Sequence, residues 1–452
     1  MLEKILIANR GEIAVRIIRA ARELGVKTVA VYSEADKDAL HVQLADEAVC
    51  VGPAPSMKSY LVQENIIMAA LNTGAQAIHP GYGFLAENAD FARKCAEEGL
   101  KFIGPSADAI DSMGNKAQAR ASAIAAGVPV VPGSDGTIDT VDEALKFARE
   151  VGFPVLVKAS AGGGGKGMRV ATDEEDLKKQ YVAAKNEAGA AFGNDEVYLE
   201  KYLLRPRHVE IQLLTDTHGN ALYLFERDCS IQRRHQKLLE EAPSPALDAA
   251  TRKQMGEAAV ALARAVDYEG AGTIEFLFDT DGSFYFMEMN TRVQVEHPVS
   301  EQISGVDIIK EQIRVASGLP LSITNQDDLS VLSHAIEFRI NAEDPARNFM
   351  PCPGTIKSMR IPGGFGVRVD THIYNGYKVP PTYDSLLAKL IVWGATREEA
   401  IERGKRALSE FVIEGIPTTI PFHLAVLEND AFKRGEVYTD FIETQMNNFK
   451  VE

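Results

Sequence analysis

Four consecutive glycines, Gly162 to Gly165, sit between two apolar stretches, Val155-Leu156-Val157-Lys158 and Met168-Arg169-Val170-Ala171-Thr172. Glycine loses more backbone freedom on ordering than any other residue, so such a run persists where the backbone must approach something closely. Phosphate oxygens, cradled by backbone N–H groups and a nearby lysine, are the usual reason. A flexible surface turn is the plain alternative. The flanks narrow the choice of fold. Lys166 is followed by Gly167 rather than Ser or Thr, and no helical pattern follows, so this is not the phosphate loop of P-loop proteins. Two strands joined by a glycine-rich tip make a hairpin able to close over a nucleotide as a lid.

Upstream, a strand at Lys4–Ala8 precedes Ile13, Ala14, Ile17, Ile18, Ala21 and Leu24, which recur at helical spacing up to Gly25. A second strand follows at Thr28–Tyr32, and this βαβ unit predicts a parallel sheet. The intervening turn, Asn9 to Ala14, lacks the G-x-G-x-x-G spacing and speaks against a dinucleotide site. The pattern resets at Asn115-Lys116, where an Ala-rich helix opens. Helices at Val141–Val151, Glu174–Ala188 and Arg252–Val266 and strands at Val155–Lys158, Met168–Thr172 and Glu196–Tyr202 follow. After Asp327-Asp328 the chain turns strand-rich, with a helical piece at Arg397–Gly415. We expect an α/β protein of three domains, 1–114, 115–326 with a lid insert at about 131–204, and 327–447. The net charge of −16 argues against a nucleic-acid binder. No run approaches the ~18 apolar residues of a membrane helix. Cys50, Cys95, Cys229 and Cys352 form no CxxC, which disfavours structural zinc or a redox dithiol and fits a reducing compartment, the cytoplasm.

Residues Thr273 to Asn290 carry the clearest chemistry. Taking Asp281-Gly282 as a two-residue hairpin turn pairs Thr280 with Ser283 and places Glu275 opposite Glu288, with Asn290 on the same face. Like charges directly opposite repel. A bound cation removes the repulsion, and two carboxylates with an amide oxygen suit magnesium shared with phosphates; a Glu facing solvent or paired with an Arg is the plain alternative. Beyond, Arg292, Gln294 and Glu296 alternate and share a face if the chain stays extended, which offers a cation, an amide and a carboxylate for holding a small anion and taking its proton. Arg227 to Lys237 is the most basic short stretch, either a solvated face or a set of phosphate donors. Arg339 lies between apolar neighbours on a strand and is expected to be partly buried, as an ion pair or an anion stabiliser.

Together, the glycine lid after Lys158 and the Glu275, Glu288 and Asn290 set resemble the ATP-grasp fold. Longer motifs resemble the biotin carboxylase family over nearly the whole chain. They are Ala8 to Ala14, His79 to Asn88, Arg227 to Lys237 and Met289 to His297. The resemblance implies a Rossmann-like N-terminal domain, a central ATP-grasp domain and a C-terminal α+β domain. It also implies that ATP activates bicarbonate as carboxyphosphate, after which biotin's ureido nitrogen is carboxylated. On that basis Lys116, Lys158, His208 and the lid residues Gly163, Gly164, Gly165 and Lys166 would contact the nucleotide. Glu200, Lys201 and Leu203 would meet the adenine edge, and Gln232 and His235 the ribose or phosphate. Glu275, Glu288 and Asn290 would hold Mg2+ or Mn2+. Lys237, Arg292, Gln294 and Val295 would bind bicarbonate, Glu296 would deprotonate it, and Arg339 would stabilise the biotin enolate.

Two positions depart from the family pattern: Ala86 stands where Ser is usual, and Tyr438-Thr439-Asp440-Phe441 replaces an Ile-His pair expected near the nucleotide. The chain has no Met-Lys-Met biotin-attachment sequence. The resemblance therefore implies a biotin carboxyl carrier protein and separate carboxyltransferase subunits as partners, a homodimer, and the first half-reaction of acetyl-CoA carboxylase. The competing readings are the corresponding component of another biotin-dependent carboxylase, a different ATP-grasp ligase working through an acyl phosphate, and a catalytically dead ATP-binding protein.

Overall fold

Helical and strand periods at the N-terminus translate directly into structure. The structure, a computed structural model, describes residues 1–134, 136–159, 168–192, 195–447 and 449. Strands β1 (Lys4–Ile7), β2 (Lys27–Ser33), β3 (Glu47–Gly52), β4 (Ala77–His79) and β5 (Lys101–Phe102) form a sheet in the order β3-β2-β1-β4-β5. All neighbours in it run parallel. Helix Gly11–Glu23 buries Ile13, Ala14, Ile17, Ile18 and Ala21, the face picked out by helical spacing. The strand order reverses between β1 and β4, where their carboxyl ends open a crevice. There Asn9 Nδ2 donates to the carbonyls of Pro80 and Tyr82, each at 2.7 Å, and so ties two of the recognised motifs together. Gly81 sits at φ +62, and a Cβ would lie 2.9 Å from that Asn9 nitrogen, so only glycine fits.

Two compact units result: Met1–Val128 with Arg207–Phe276 and Glu288–Glu452, and Pro129–Pro206 with Leu277–Met287. In the smaller unit, β6 (Val155–Ala159), β7 (Met168–Ala171) and β8 (Val197–Lys201) form an antiparallel sheet in the order β7-β6-β8. Val155 faces Ala171 across the β6–β7 pair, so the two strands that flank the glycine segment pair antiparallel, as expected. Gly163, Gly164, Gly165 and Lys166 lie outside the described residues. Helix Val141–Val151 starts at a capping box between Thr140 and Glu143. Together with helix Glu174–Phe192 it covers the sheet, and Leu145, Val155, Val157, Leu177, Tyr181 and Leu199 form the core.

A second sheet has eight strands. β9 (Arg207–Thr215), β10 (Ala221–Arg233), β11 (Gln236–Ala242), β12 (Gly270–Phe278), β13 (Phe284–Asn290) and β14 (His334–Asn341) run in the order β13-β12-β9-β10-β11-β14, continued by Leu386–Gly394 and Val367–Thr371. Strands from the last third of the chain thus complete the sheet that carries the carboxylate hairpin. The helix expected over Arg397–Gly415 ends earlier, at Glu410, and Val412–Glu414 forms a strand instead. All four cysteines are free. Among the described residues, no helix is long and apolar enough to cross a membrane.

Candidate active site

Neighbouring strands β11 and β14 each direct a cation at one carboxylate, Glu296. Lys237 on β11 spends all three ammonium protons on carboxylates: Glu210 Oε2 at 2.5 Å, Glu275 Oε1 at 2.9 Å and Glu296 Oε1 at 2.7 Å. Arg339 on β14 donates from Nε to Glu240 Oε1 (2.6 Å) and from Nη2 to Glu296 Oε2 (3.0 Å). Glu296 is buried, so each of its oxygens faces a different cation. Burial alone would raise its pKa, but Lys237, Arg339 and Arg227 outweigh that and hold it well below the usual carboxylate range. Burial likewise opposes charge on Lys237, yet Glu210 and Glu296 push it well above its ordinary value. Glu240 is raised to about 7 by burial, against the pull of Arg339 and with a push from Glu296. Arg339 is therefore partly buried and ion-paired, as its apolar-flanked position suggested, and Glu296 is one of its two partners.

The segment after Asn290 does not stay extended. The backbone bends at Thr291–Arg292 and turns at Val295–Glu296, and Glu296 becomes the residue preceding helix His297–Ser304, with Pro298 in its first turn. Proline is tolerated there because its missing N–H is unpaired in a helix start anyway. Even so, the turn brings the alternating residues to one place. Gln294 Nε2 donates to Glu275 Oε1 (2.9 Å), and Arg292 Nη2 to Asn290 Oδ1 (2.9 Å). The Val295 carbonyl accepts from Lys389 Nζ at 2.7 Å.

The hairpin turn also differs from expectation. Asp279 N–H donates to Ser283 O (2.8 Å) and Gly282 N–H to Asp279 O (3.1 Å), with Gly282 at φ +88. This is a three-residue loop closed by a left-handed glycine, not the two-residue turn that would pair Thr280 with Ser283. The carboxylates still share a site. Asn290 Nδ2 donates to Glu275 Oε1 at 3.0 Å, and Glu288 is raised by burial and by the charge of Glu275. Glu275 itself lies well below the usual range: burial opposes its charge, but Lys237 and His208 dominate. His208 Nε2 stands 3.0 Å from Glu275 Oε2. Two carboxylates, one still carrying a like-charge penalty, suit a hard divalent cation such as Mg2+ or Mn2+; Asn290 turns its NH2 to Glu275 and its oxygen to Arg292, so its amide would have to turn to serve as a third oxygen ligand.

The remaining nucleotide candidates fall in both units. In the larger one, Lys116 is exposed at the start of helix Lys116–Ala125, capped by Asn115, and its charge acts on Glu288. Gln232 is half-buried, and His235 is exposed in the β10–β11 turn at φ +66. In the smaller one, Lys158 Nζ meets Glu200 Oε2 at 2.5 Å, while Lys201 Nζ donates to the carbonyls of Gly152 (3.0 Å) and Phe153 (3.2 Å). Leu203 is buried.

Several residues of the site were not singled out from sequence. Glu87 accepts from Arg292 Nε (2.8 Å) and from the Thr291 N–H (3.2 Å), so it fixes the cation that the 291–296 segment offers. It belongs to the His79 to Asn88 motif, which was the available signal. Glu210 and Glu240 hold Lys237 and Arg339. Lys389 is fully buried between Ala388 and Leu390, the same apolar-flanked signature that marked Arg339. Glu12 lies 3.2 Å from Lys389 Nζ and accepts from the Tyr82 hydroxyl.

Comparison with known proteins agrees over the full length. Residues 1–110 match the family described as biotin carboxylase, N-terminal domain, and residues 337–444 the biotin carboxylase C-terminal domain. Residues 115–324 match the carbamoyl-phosphate synthase L chain ATP-binding domain. The chain is 63% identical to biotin carboxylase 1 of Bacillus subtilis over 98% of this chain and 99% of that protein. It is 55% identical to a pyruvate carboxylase subunit of Methanothermobacter thermautotrophicus, over 98% and 90% respectively. Its fold superposes on the biotin carboxylase domain of a thermophilic 2-oxoglutarate carboxylase, solved with ADP, with a TM-score of 0.96 at 50% identity and full coverage of both chains.

Proposed function

The chain belongs to the biotin carboxylase family, and from that premise we propose how its residues divide the work of ATP-dependent biotin carboxylation. Its substrates are ATP, bicarbonate and carrier-borne biotin, and it works with Mg2+, in keeping with a Hydrogenobacter thermophilus relative, 50% identical, whose biotin carboxylase domain was solved with MgADP and bicarbonate. Lys116, His208, Gln232 and His235 in the larger unit, and Lys158, Glu200, Lys201, Leu203 and the lid residues Gly163, Gly164, Gly165 and Lys166 in the smaller, contact the nucleotide. Glu275, Glu288 and Asn290 hold the metal ion. When bound, that ion neutralises phosphate charge during transfer.

Bicarbonate enters beside Gln294, Arg292, Lys237 and the Val295 backbone. Its negative charge competes with Glu296 for Lys237 and Arg339, so the carboxylate loses part of what keeps its pKa low and becomes a better proton acceptor as the anion arrives. Bicarbonate gives its proton to Glu296, and the deprotonated oxygen attacks the γ-phosphorus of ATP, forming carboxyphosphate and releasing ADP. Arg339 cannot lose its proton and stays a fixed cation for the enolate of biotin. The observation that carries this reading is Glu296, buried and gripped at 2.7 Å and 3.0 Å by Lys237 and Arg339.

In the same proposal the chain is the homodimeric, cytoplasmic first component of acetyl-CoA carboxylase, divided at 1–114, 115–326 and 327–447, and it passes carboxybiotin on a carrier protein to separate carboxyltransferase subunits. A second reading, supply of a pyruvate or 2-oxoglutarate carboxylase, is favoured by the names of two relatives. Reconstitution with the carrier and carboxyltransferase that co-purify with the chain decides between them. We expect 14C from bicarbonate in malonyl-CoA when acetyl-CoA is offered; label transferred only to a keto acid selects the second reading.

A further inference from the structure

We infer that Arg227, buried beneath the site, is a positioning residue that sets the direction of the Gln294 side-chain amide. The inference rests on the role of Gln294 in bicarbonate binding proposed above. Arg227 has no exposed surface, and all five of its N–H groups are used. Nε donates to Glu210 Oε1 (2.6 Å), Nη1 to Gln212 Oε1 (2.6 Å) and Ser300 Oγ (2.9 Å), and Nη2 to Thr273 Oγ1 (3.1 Å) and Gln294 Oε1 (2.7 Å).

A guanidinium only donates, so the Gln294 atom facing it must be the carbonyl oxygen. The NH2 group is thereby turned the other way, toward Glu275 Oε1 at 2.9 Å and the place where the anion arrives. Glu275 favours the NH2 on its own side, but without the Arg227 bond the amide is held at that one end only and can swing or flip, which would present a carbonyl oxygen to bicarbonate in place of a donor. The same guanidinium holds Glu210, which in turn holds Lys237 at 2.5 Å. One side chain thus links β9, β12, the 291–296 segment and helix His297–Ser304. Charge balance at Glu210 alone needs one of the five bonds; the bond to Gln294 is what ties Arg227 to the anion.

The test is a double-mutant cycle read in bicarbonate-dependent, biotin-stimulated ATP cleavage. Arg227→Lys keeps a cation beside Glu210 but lacks the fork that reaches Gln294, whereas Arg227→Met leaves Glu210 to Lys237 alone and serves as the harsher comparison. With Gln294 intact, we expect Arg227→Lys to raise KM for bicarbonate about tenfold, as loss of one charge-assisted hydrogen bond does, with KM for ATP within about twofold. In a Gln294→Ala background the same substitution should change KM for bicarbonate by less than about twofold, because the group it acts through is gone. Equal losses in both backgrounds, or an unchanged bicarbonate KM with Gln294 intact, would overturn the inference while leaving the proposed function standing. A parent chain that shows no bicarbonate-dependent ATP cleavage would overturn both.

Discussion

Replacing Glu296 by glutamine separates chemistry from folding. The carboxylate meets Lys237 at 2.7 Å and Arg339 at 3.0 Å, and both cations keep other partners when it is neutralised. Lys237 retains Glu210 and Glu275, and Arg339 retains Glu240. The glutamine oxygen can accept from only one of the two cations, which leaves the amide NH2 against the other. A poorly matched buried contact of that kind costs about 1–3 kcal/mol, a few degrees in Tm. Loss of a positioned general base costs about 10²–10⁴ in rate, or roughly 3–5 kcal/mol of barrier. For Glu296→Gln we therefore expect 14C-bicarbonate transfer to biotin to fall by about 10²–10⁴ while Kd for ATP, measured by calorimetry, moves less than about threefold. Turnover within threefold of the parent would refute its role as base. Loss of ATP binding in step with turnover would refute the claim that the surrounding cations stay paired without it.

Other substitutions probe neighbouring parts. Glu288→Gln removes a carboxylate already destabilised by Glu275, so the fold should tolerate it while the Mg2+ concentration for half-maximal ATP cleavage rises about tenfold or more; unchanged metal dependence would count against the shared carboxylate site. Lys389→Met frees the Val295 carbonyl and leaves Glu12 to take up a proton; we expect KM for bicarbonate to rise several-fold and Tm to fall, and a wild-type bicarbonate KM would detach Lys389 from the anion site. Glu241 is held at about 2: burial opposes its charge, but Arg397 and His334 prevail. Its folded pKa is depressed, so its contribution is present above the unfolded carboxylate value and is lost as pH falls through the folded one. Glu241→Gln should cost about 3 kcal/mol at pH 7, a gap in urea midpoint that narrows below about pH 4.5; a constant gap down to pH 3 would contradict the pairing.

Features that depend on local spacing were legible in the sequence. The helical stripe from Ile13 to Ala21, the capped helix after Asn115 and the strands flanking the glycines all follow from periods of 3.6 and 2. Arg339 announced its burial by its apolar neighbours. What depended on distant pairing was not legible. A left-handed Gly282 serves either a two-residue or a three-residue loop, so the turn could not be chosen from Asp281-Gly282 alone. Nothing local reveals that Leu386–Gly394 and β14 extend the sheet of the carboxylate hairpin. Arg227 read as part of a basic run because its five acceptors come from strands β9 and β12, the 291–296 segment and the following helix. The bend at Thr291 is set by Glu87, about two hundred residues upstream.

Residues 291–296 as a bicarbonate-activating loop can be tested without any variant. Purified chain is given MgATP with bicarbonate and free biotin each present or withheld, and ADP release is followed alongside incorporation of 14C into biotin. We expect ATP cleavage to require bicarbonate, to be stimulated by biotin, and to yield labelled carboxybiotin. ATP cleavage that ignores biotin, or that answers instead to ammonia or an amino acid, would contradict the role assigned to Arg292, Gln294 and Glu296.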